Sequence, residues 1–315
     1  YKGAESVPTY TEVFGDTLCQ LAKTDPRVVA ITAAMPEGTG VATFCKMFPE
    51  RFVDVGICEQ HAVTLAAGLA TQGYKPVVGI YSTFLQRSYD QIVHDVCLQN
   101  LPVTLCLDRG GLVGEDGPTH HGTFDLSFLR HIPNLTCMAP KDEAELRDML
   151  HTAMAHDGPI AIRYPRGAGI GADLSGEAAP IPIGQGELLR SGKDALIIAI
   201  GGRVHACWRA AQELADQGKD IGVYNARFIK PLPHEDILSL VATHDRILLV
   251  EENALQGGFS SAVLELLSDH GALTSKHIKR LGIPDQFIEH GSQAQLRQQL
   301  GLHADGIKEC LLEMF

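Results

Sequence analysis

The chain has 315 residues, of which 45% are apolar and 20% are charged. This balance is typical of a globular protein and excludes a disordered or low-complexity chain, and the length predicts two domains that each form their own core. Acidic residues outnumber basic residues by 38 to 26, for a formal net charge of −12, and no basic run interrupts that excess. Nucleic acid is therefore not expected as a partner.

Targeting signals and cysteine spacing indicate the cellular compartment expected for the protein. No apolar stretch approaches the ~20 residues of a membrane helix, and no signal peptide opens the chain, so no membrane association is expected. The eight cysteines never form a Cys-x-x-Cys pair, which is typical of reduced thiols in a cytoplasmic protein. The chain begins at Tyr1 without an initiator methionine, as a fragment, a nicked product or a renumbered chain would.

Short β-rich runs alternate with helical patterns in the first part of the chain. A helix is predicted after Gly56, because apolar residues recur at three- and four-residue steps from Ala62 to Ala70, and Gly73 ends the run. This alternation is typical of parallel βαβ units. The predicted strands lie at 28–32, 52–56, 76–81, 102–108, 135–140 and 159–164.

A second α/β set follows a segment that is rich in glycine, alanine and proline. Its predicted strands lie at 195–201, 221–226, 246–251 and 277–281, and its predicted helices at 205–217 and 258–269. The sequence therefore predicts an α/β protein with two consecutive domains, each a mostly parallel sheet flanked by helices. The expected domains are 1–170 and 187–315, joined by a linker at 171–186.

Chemically capable residues follow several of the first domain's strands. Every strand of a parallel sheet delivers its following loop to the same edge, where functional groups gather. The loop at 108–122 is long for a βα connection and mixes glycine with carboxylate and imidazole groups, which indicates function rather than structure. The residues expected at this edge are Glu59, the Tyr81 to Phe84 run, Asp108 with Arg109, and the 164–167 run.

Four segments carry a family resemblance: Asp-Val-Gly-Ile-Cys-Glu-Gln-His-Ala at 54–62, Tyr-Ser-Thr-Phe-Leu-Gln-Arg at 81–87, the 108–122 loop, and Arg-Tyr-Pro-Arg-Gly at 163–167. Together they resemble the pyrimidine-binding domain of the 1-deoxy-D-xylulose-5-phosphate synthase family, which are thiamine-diphosphate enzymes of the transketolase type. The resemblance continues into the transketolase C-terminal domain. It implies a transketolase-like pyrimidine-binding domain followed by a transketolase C-terminal-like domain.

The resemblance implies a transferase that condenses pyruvate with D-glyceraldehyde 3-phosphate, with loss of CO₂, to 1-deoxy-D-xylulose 5-phosphate. That product serves isoprenoid, thiamine and pyridoxol biosynthesis. The implied cofactors are thiamine diphosphate and Mg²⁺, which this class holds through a Gly-Asp-Gly motif followed later by Asn. Because the chain lacks that motif, no metal ligand is expected in it. The expected partner is an N-terminal diphosphate-binding domain of the same enzyme, and the expected assembly is a homodimer.

Glu59 matches the family's catalytic glutamate. Deprotonation of thiamine's reactive carbon requires a carboxyl group that shares a proton with the pyrimidine N1′. Without the resemblance, a helix N-terminal glutamate favoured by the helix dipole would be the better interpretation. Phe84 is expected to stack on the aminopyrimidine, and Arg87 to order the same wall.

A phosphorylated acceptor that enters an acidic protein needs local cations. The resemblance assigns that task to Arg109 and Arg166, whose guanidinium donors match phosphate oxygens two at a time. Tyr81 would donate through its hydroxyl group, and Asp116 would orient an arginine or a sugar hydroxyl. The alternatives are a surface ion pair for each arginine and an Asp-Gly turn for Asp116.

His120 is the expected second acid/base and substrate-binding residue, because the pKa of an unperturbed imidazole lies near working pH. The alternative is an ordinary polar loop residue. His121 is the weaker candidate of the two, and His61 is expected to support Glu59 from one helical step away.

Other functions fit the same motifs. A transketolase C-terminal half or the β subunit of a 2-oxoacid dehydrogenase would share Glu59 and the fold. A noncatalytic scaffold or regulatory subunit that kept the fold is an alternative of another class. In the second domain, the segments 251–253 and 257–259 are interpreted as structural, and the family gives this domain a role in assembly.

Overall fold

The computed structural model describes residues 7–315, so the first six residues of the predicted first domain lie outside the described residues. The strands are β1 (Val28–Thr32), β2 (Phe52–Asp54), β3 (Lys75–Tyr81), β4 (Thr104–Asp108), β5 (Thr136–Met138), β6 (Ile160–Arg163), β7 (Glu187–Arg190), β8 (Ala195–Ala199), β9 (Ile221–Asn225), β10 (Phe228–Lys230), β11 (Arg246–Ala254) and β12 (His277–Ile283). The helices are α1 (Tyr10–Thr24), α2 (Ala42–Met47), α3 (Glu59–Ala70), α4 (Ser82–Leu85), α5 (Tyr89–Gln91), α6 (Asp125–Leu129), α7 (Glu143–Ala155), α8 (Val204–Ala215), α9 (His234–Ala242), α10 (Phe259–Asp269), α11 (Gln293–Gln299) and α12 (Ala304–Leu312).

Each strand that the sequence predicted is present, as are the predicted helices α3, α8 and α10. Two strands, β7 and β10, were not predicted. Both are short, and each pairs antiparallel with its neighbour, so neither has the long apolar run of a parallel strand. The ends of the predicted strands agree with the observed ones to within a few residues, as expected for pattern-based boundaries.

Residue contacts divide the described chain into two units. The first contains the residues up to Gly110 together with Ile132–Thr136 and Asp142–Pro182. The second contains Gly111–His131, Cys137–Lys141 and Ile183–Phe315. The contacts thus group most of the long loop after β4 with the second unit, although the loop precedes β5 and β6 in the chain.

Five strands of the first unit pair in parallel, in the order β6-β4-β3-β1-β2. The strands β1, β4 and β6 are buried along their whole length, as expected for parallel strands whose two faces are both covered. Helix α1 begins at a capping box in which Thr9 and Glu12 bond each other's backbone N–H groups. Because the strands are parallel, the loops after β1, β2, β3, β4 and β6 leave from one edge.

The segment between β6 and β7 contains neither helix nor strand and is held by side chains of α7. The fully buried carboxylate of Glu143 accepts backbone N–H bonds from residues 170, 171 and 172 at 2.7–3.0 Å. Arg147 donates to the carbonyl groups of Leu174 and Gly176 at 2.8 and 2.9 Å. This part of the chain is therefore an ordered strap on the first unit, because its backbone polar groups find side-chain partners.

The second unit has the strand order β12-β11-β8-β9-β7, in which only β7 runs antiparallel to its neighbour. Its apolar core is built on β8, β9, β11 and α8, and it includes the fully buried side chain of Leu112 from the long loop. The predicted fold class, α/β with two mostly parallel sheets, is confirmed. Within residues 7–315, none of the helices has the length and apolar character that crossing a membrane requires.

Candidate active site

The turns after β1 and β2 are tied together by one carboxylate. Asp54, the last residue of β2, accepts hydrogen bonds from the backbone N–H groups of Ala34 at 2.7 Å and Gly56 at 2.9 Å. Gly56 adopts a φ of 70°, which suits glycine because it carries no Cβ. This turn leads directly into α3, so it fixes the position of Glu59, the first residue of that helix.

Glu59 lies on a cavity of about 300 Å³ at this edge of the first unit. Its side chain is only 3% exposed, and its Oε2 lies 3.5 Å from Nη1 of Arg87, whose side chain is 57% exposed. Phe84, at the turn after β3, lines the same cavity. The structure therefore brings together the three residues that the sequence predicted for cofactor binding, and it keeps Glu59 on a cavity rather than inside the core.

The rest of the cavity wall was not predicted. It consists of Ala33, Ala34, Met35 and Ile57, which carry no chemically distinctive group. Three of these residues follow β1, and Ala34 has the left-handed φ of 60° that is uncommon outside glycine. The rule that parallel strands deliver their loops to one edge could have located them, because β1 is part of the same sheet.

A stack of side chains continues from Phe84. The rings of Phe84 and Tyr81 are nearly parallel, with centroids 5.7 Å apart. The guanidinium carbon of Arg109 lies 3.7 Å from the centroid of Tyr81, within the range of a cation–π contact. Nη1 of Arg109 also donates to the carbonyl oxygen of Gly38 at 2.8 Å. Tyr81 and Arg109, both predicted to bind substrate, are therefore in contact with each other.

Asp108 orients Arg109 from the end of β4. Its carboxylate is fully buried, accepts a hydrogen bond from the Thr11 hydroxyl group at 2.7 Å, and lies 3.3 Å from Nη1 of Arg109. Burial raises the pKa of Asp108 to about 6. Arg109 has a φ of 63° and a side chain that is only 16% exposed, so its guanidinium group has a defined direction, unlike a solvated surface arginine.

The tip of the long loop holds two further predicted residues. Asp116 is exposed and His120 is half-buried. Nδ1 of His120 lies 2.9 Å from the Thr119 hydroxyl group. Two other residues with predicted roles are also accessible to solvent: Arg166 is half-buried just after β6, and His61 is exposed on α3.

The structure gives the two adjacent histidines different environments. His121 is buried, its Nδ1 accepts the Val113 backbone N–H at 3.0 Å, and its Nε2 donates to the carbonyl oxygen of Glu289 at 3.3 Å. Burial lowers the pKa of His121, which favours the neutral ring that this bonding requires. His121 therefore fastens the loop, whereas His120 keeps access to solvent.

The cavity suits a flat nitrogen heterocycle. A buried carboxyl group at Glu59 can share a proton with a ring nitrogen, and Phe84 offers an aromatic face with apolar neighbours. Among residues 7–315, no three histidine, cysteine, aspartate or glutamate side chains are grouped so that they could hold a metal ion. The buried carboxyl group and the aromatic face of the cavity fit the pyrimidine part of thiamine diphosphate.

A parallel α/β unit with a buried carboxyl group on a cavity at its strand edge, followed by a second mostly parallel α/β unit, is the arrangement expected of a transketolase-type protein. The chain belongs to the transketolase pyrimidine-binding domain family, whose model matches residues 6–170. Residues 184–307 match the transketolase C-terminal domain.

Curated relatives and solved structures agree with this assignment. The chain is 64% identical over 99% of its length to a 1-deoxy-D-xylulose-5-phosphate synthase of Oleidesulfovibrio alaskensis, and 62% identical over 98% to that of Nitratidesulfovibrio vulgaris. It spans about half the length of each, 49% and 48%. A solved split-gene transketolase, described as an inactive beta4 tetramer, matches with a TM-score of 0.85 and 27% identity over 98% of both chains. The resemblance drawn from the motifs is confirmed.

Proposed function

We propose that this chain is the C-terminal part of an enzyme that condenses pyruvate with D-glyceraldehyde 3-phosphate, with loss of CO₂, to 1-deoxy-D-xylulose 5-phosphate. The product would enter isoprenoid, thiamine and pyridoxol synthesis. The proposal rests on Glu59, a buried carboxyl group on a cavity shared with Phe84 and Arg87, in a chain that is 64% identical to a relative bearing the synthase's name.

The cofactor would meet this chain at its pyrimidine ring. Thiamine diphosphate, when bound, supplies a nucleophilic carbon for carbonyl chemistry. The task of Glu59 is to hold a proton at the ring nitrogen, which its burial away from competing water favours. Phe84 would pack against the ring, and Arg87 would balance the charge of Glu59 from the rim of the cavity.

The remaining parts of the enzyme are proposed from the family. Mg²⁺ and the diphosphate would be held by an N-terminal domain, and the complete enzyme would be a cytoplasmic homodimer. The N-terminal domain is supported by two observations: the chain spans about half the length of its curated relatives and lacks the Gly-Asp-Gly motif.

The acceptor phosphate would be bound by Arg109 and Arg166, with Tyr81, Asp116 and His120 completing the substrate site. Arg109 supports this proposal, because Tyr81 and Asp108 hold its guanidinium group in a defined direction at the strand edge. His120 would exchange protons with a substrate oxygen, since its half-buried ring is accessible to solvent.

Replacing Arg109 or Arg166 by alanine in the full-length protein should raise KM for glyceraldehyde 3-phosphate about 10- to 100-fold. A charged hydrogen bond contributes ~1.5–3 kcal/mol, which corresponds to that range. KM for pyruvate, which carries no phosphate, should change by less than about twofold. Steady-state kinetics with each substrate varied in turn measure both values.

Arg51→Ala is the matched control. Like Arg109, Arg51 stacks on an aromatic ring, 4.3 Å from the centroid of Phe48, and donates to backbone carbonyl groups, at 3.0 Å to Ala22. Arg51 immediately precedes β2 and therefore lies at the opposite end of the strands from the cavity, so its loss should lower stability without selecting between substrates. Equal effects of Arg109→Ala on both substrates would refute the phosphate site.

Product analysis tests the function itself. The full-length protein, supplied with thiamine diphosphate and Mg²⁺, should release CO₂ from pyruvate and form the five-carbon deoxysugar phosphate from glyceraldehyde 3-phosphate. A protein that uses only ketose phosphates as donors would instead be a transketolase. Decarboxylation of pyruvate followed by transfer to a lipoyl group would assign a 2-oxoacid dehydrogenase subunit.

A further inference from the structure

The loop after β4 is anchored by residues of the second unit. At its base, Gly111 and Gly122 exchange two backbone hydrogen bonds of 2.6 and 2.8 Å. Next to this bridge, the side chain of Leu112 is fully buried in the apolar core of the second unit. The base of the loop is therefore fixed, while its tip, which carries Asp116 and His120, stays accessible to solvent.

Glu252, near the end of β11, binds the loop base through one carboxylate oxygen. Its Oε1 accepts the backbone N–H of Leu112 at 3.0 Å, and the side chain is only 6% exposed. Two arginines surround the same carboxylate: Nε of Arg203 lies 2.8 Å from Oε2, and Arg297 donates to both oxygens at 2.8 and 3.1 Å. These two cations hold the pKa of Glu252 down to about 2, so the group is charged at working pH.

The backbone at Gly111 is adapted to this carboxylate. Gly111 has a φ of 86°, and a Cβ at this position would lie only 2.6 Å from Oε1 of Glu252. Any other residue would push the carboxylate away from the loop, so glycine is required for the close approach. The neighbouring Leu112 also receives a hydrogen bond at its carbonyl oxygen, 2.7 Å from Nε2 of Gln293.

Asn253, the residue after Glu252, binds the beginning of α6, which follows the loop in the chain. Asn253 accepts the Leu126 backbone N–H at 3.3 Å and donates to the Ser127 hydroxyl group at 3.0 Å. Two consecutive residues of β11 therefore bind the chain on both sides of the loop tip, Glu252 at Leu112 and Asn253 at Leu126. The sequence predicted a structural role for 251–253, and no pattern in it indicates that two of these side chains bind residues more than 120 positions away in the chain.

Glu251, the neighbour of Glu252 in β11, binds a helix of the second unit. Its fully buried carboxylate accepts the backbone N–H groups of Phe259 and Ser260 at 2.7 and 2.8 Å, at the beginning of α10. It therefore caps a helix of the second unit. Glu251 and Glu252 form a natural pair for comparison, because both are buried carboxylates in β11.

We propose that Glu252 is a positioning residue for the acceptor site. By holding Leu112 at the base of the loop, it sets the location of Asp116 and His120 and thereby the affinity for the phosphorylated aldehyde. The identity of that substrate rests on the proposed function, but the hold of Glu252 on the loop does not. A residue of the second domain would then shape substrate recognition, in addition to any role of that domain in assembly.

Hydrogen exchange in the full-length protein tests the positioning without any substrate. Peptides that cover 111–122 should exchange about tenfold faster in Glu252→Gln than in wild type, because the charge-assisted bonds that close the loop base are weakened. Glu251→Gln should leave these peptides unchanged and speed exchange at the beginning of α10. Kinetics should show KM for glyceraldehyde 3-phosphate raised about tenfold in Glu252→Gln only, with KM for pyruvate unchanged.

Gln293→Ala carries the test if Glu252→Gln does not fold, because it removes a neutral bond to Leu112 and leaves the arginines paired. Gln293→Ala should speed exchange of the 111–122 peptides and raise KM for glyceraldehyde 3-phosphate, each by about threefold. Unchanged loop exchange in the folded variants, or a loosened loop with unaltered acceptor KM, would overturn the proposal. A wild-type enzyme that makes no deoxysugar phosphate would overturn the proposed function instead, since the exchange data are collected without substrate.

Discussion

Replacing Glu59 by glutamine in the full-length protein is expected to lower kcat about 10²- to 10⁴-fold, the usual contribution of a positioned acid/base. Glutamine has the same shape and still forms hydrogen bonds, but it cannot share an ionisable proton with a ring nitrogen. The fold should persist, because the partner Arg87 is 57% exposed and is not left as a buried unpaired charge. Steady-state kinetics and a melting curve measure the two quantities.

Glu143→Gln is the control for this experiment. Glu143 is also a buried carboxylate of the first unit, but it accepts backbone N–H bonds from residues 170–172 and does not line the cavity. Its replacement should lower the melting temperature and leave kcat within about twofold of wild type. Unchanged turnover in Glu59→Gln would favour a noncatalytic scaffold role for this part of the full-length protein, because its buried carboxyl group would then take no part in the reaction.

The sequence was sufficient to locate Glu59 because its position follows from local rules. Apolar spacing predicted α3, and Gly56 marked the turn before it. Parallel strands then place the beginning of α3 at the same edge as the turn after β3, which carries Phe84 and Arg87. The family resemblance singled out these three residues and topology placed them at one sheet edge, which is why their grouping around one cavity was predictable.

The packing of the long loop could not be predicted from local sequence rules. His120 and His121 are the same residue type in adjacent positions, and only packing distinguishes the buried, bonded ring of His121 from its accessible neighbour. The contact of Leu112 with Glu252 joins residues 140 positions apart. No periodicity in the sequence reports such a contact, so the anchoring of the loop required the structure. The stack of Arg109 on Tyr81 was hidden for the same reason.

The isolated 315-residue chain is expected to have no measurable synthase turnover, and activity should appear only when an N-terminal diphosphate-binding part is supplied. The chain offers a carboxyl group and an aromatic face for the pyrimidine ring, but its sequence lacks the Gly-Asp-Gly motif that we propose the N-terminal part uses to hold the diphosphate and Mg²⁺. Pyrimidine contacts alone leave the charged half of the cofactor in water, so retention should be too weak for catalysis.

Gel filtration with thiamine diphosphate and Mg²⁺, followed by cofactor analysis of the protein peak, measures that retention. A cooperative melting transition must first show that the isolated chain is folded. Mixing it with the separately produced N-terminal part should then restore both retention and turnover, whereas the Glu59→Gln chain should restore retention with little turnover. Turnover by the folded chain alone would contradict the division of labour, because it would require this half to bind the whole cofactor. The mixing experiment thus separates assembly from chemistry. Both the wild-type and the Glu59→Gln complexes should retain the cofactor, but only the complex with the Glu59 carboxyl group should turn over substrate.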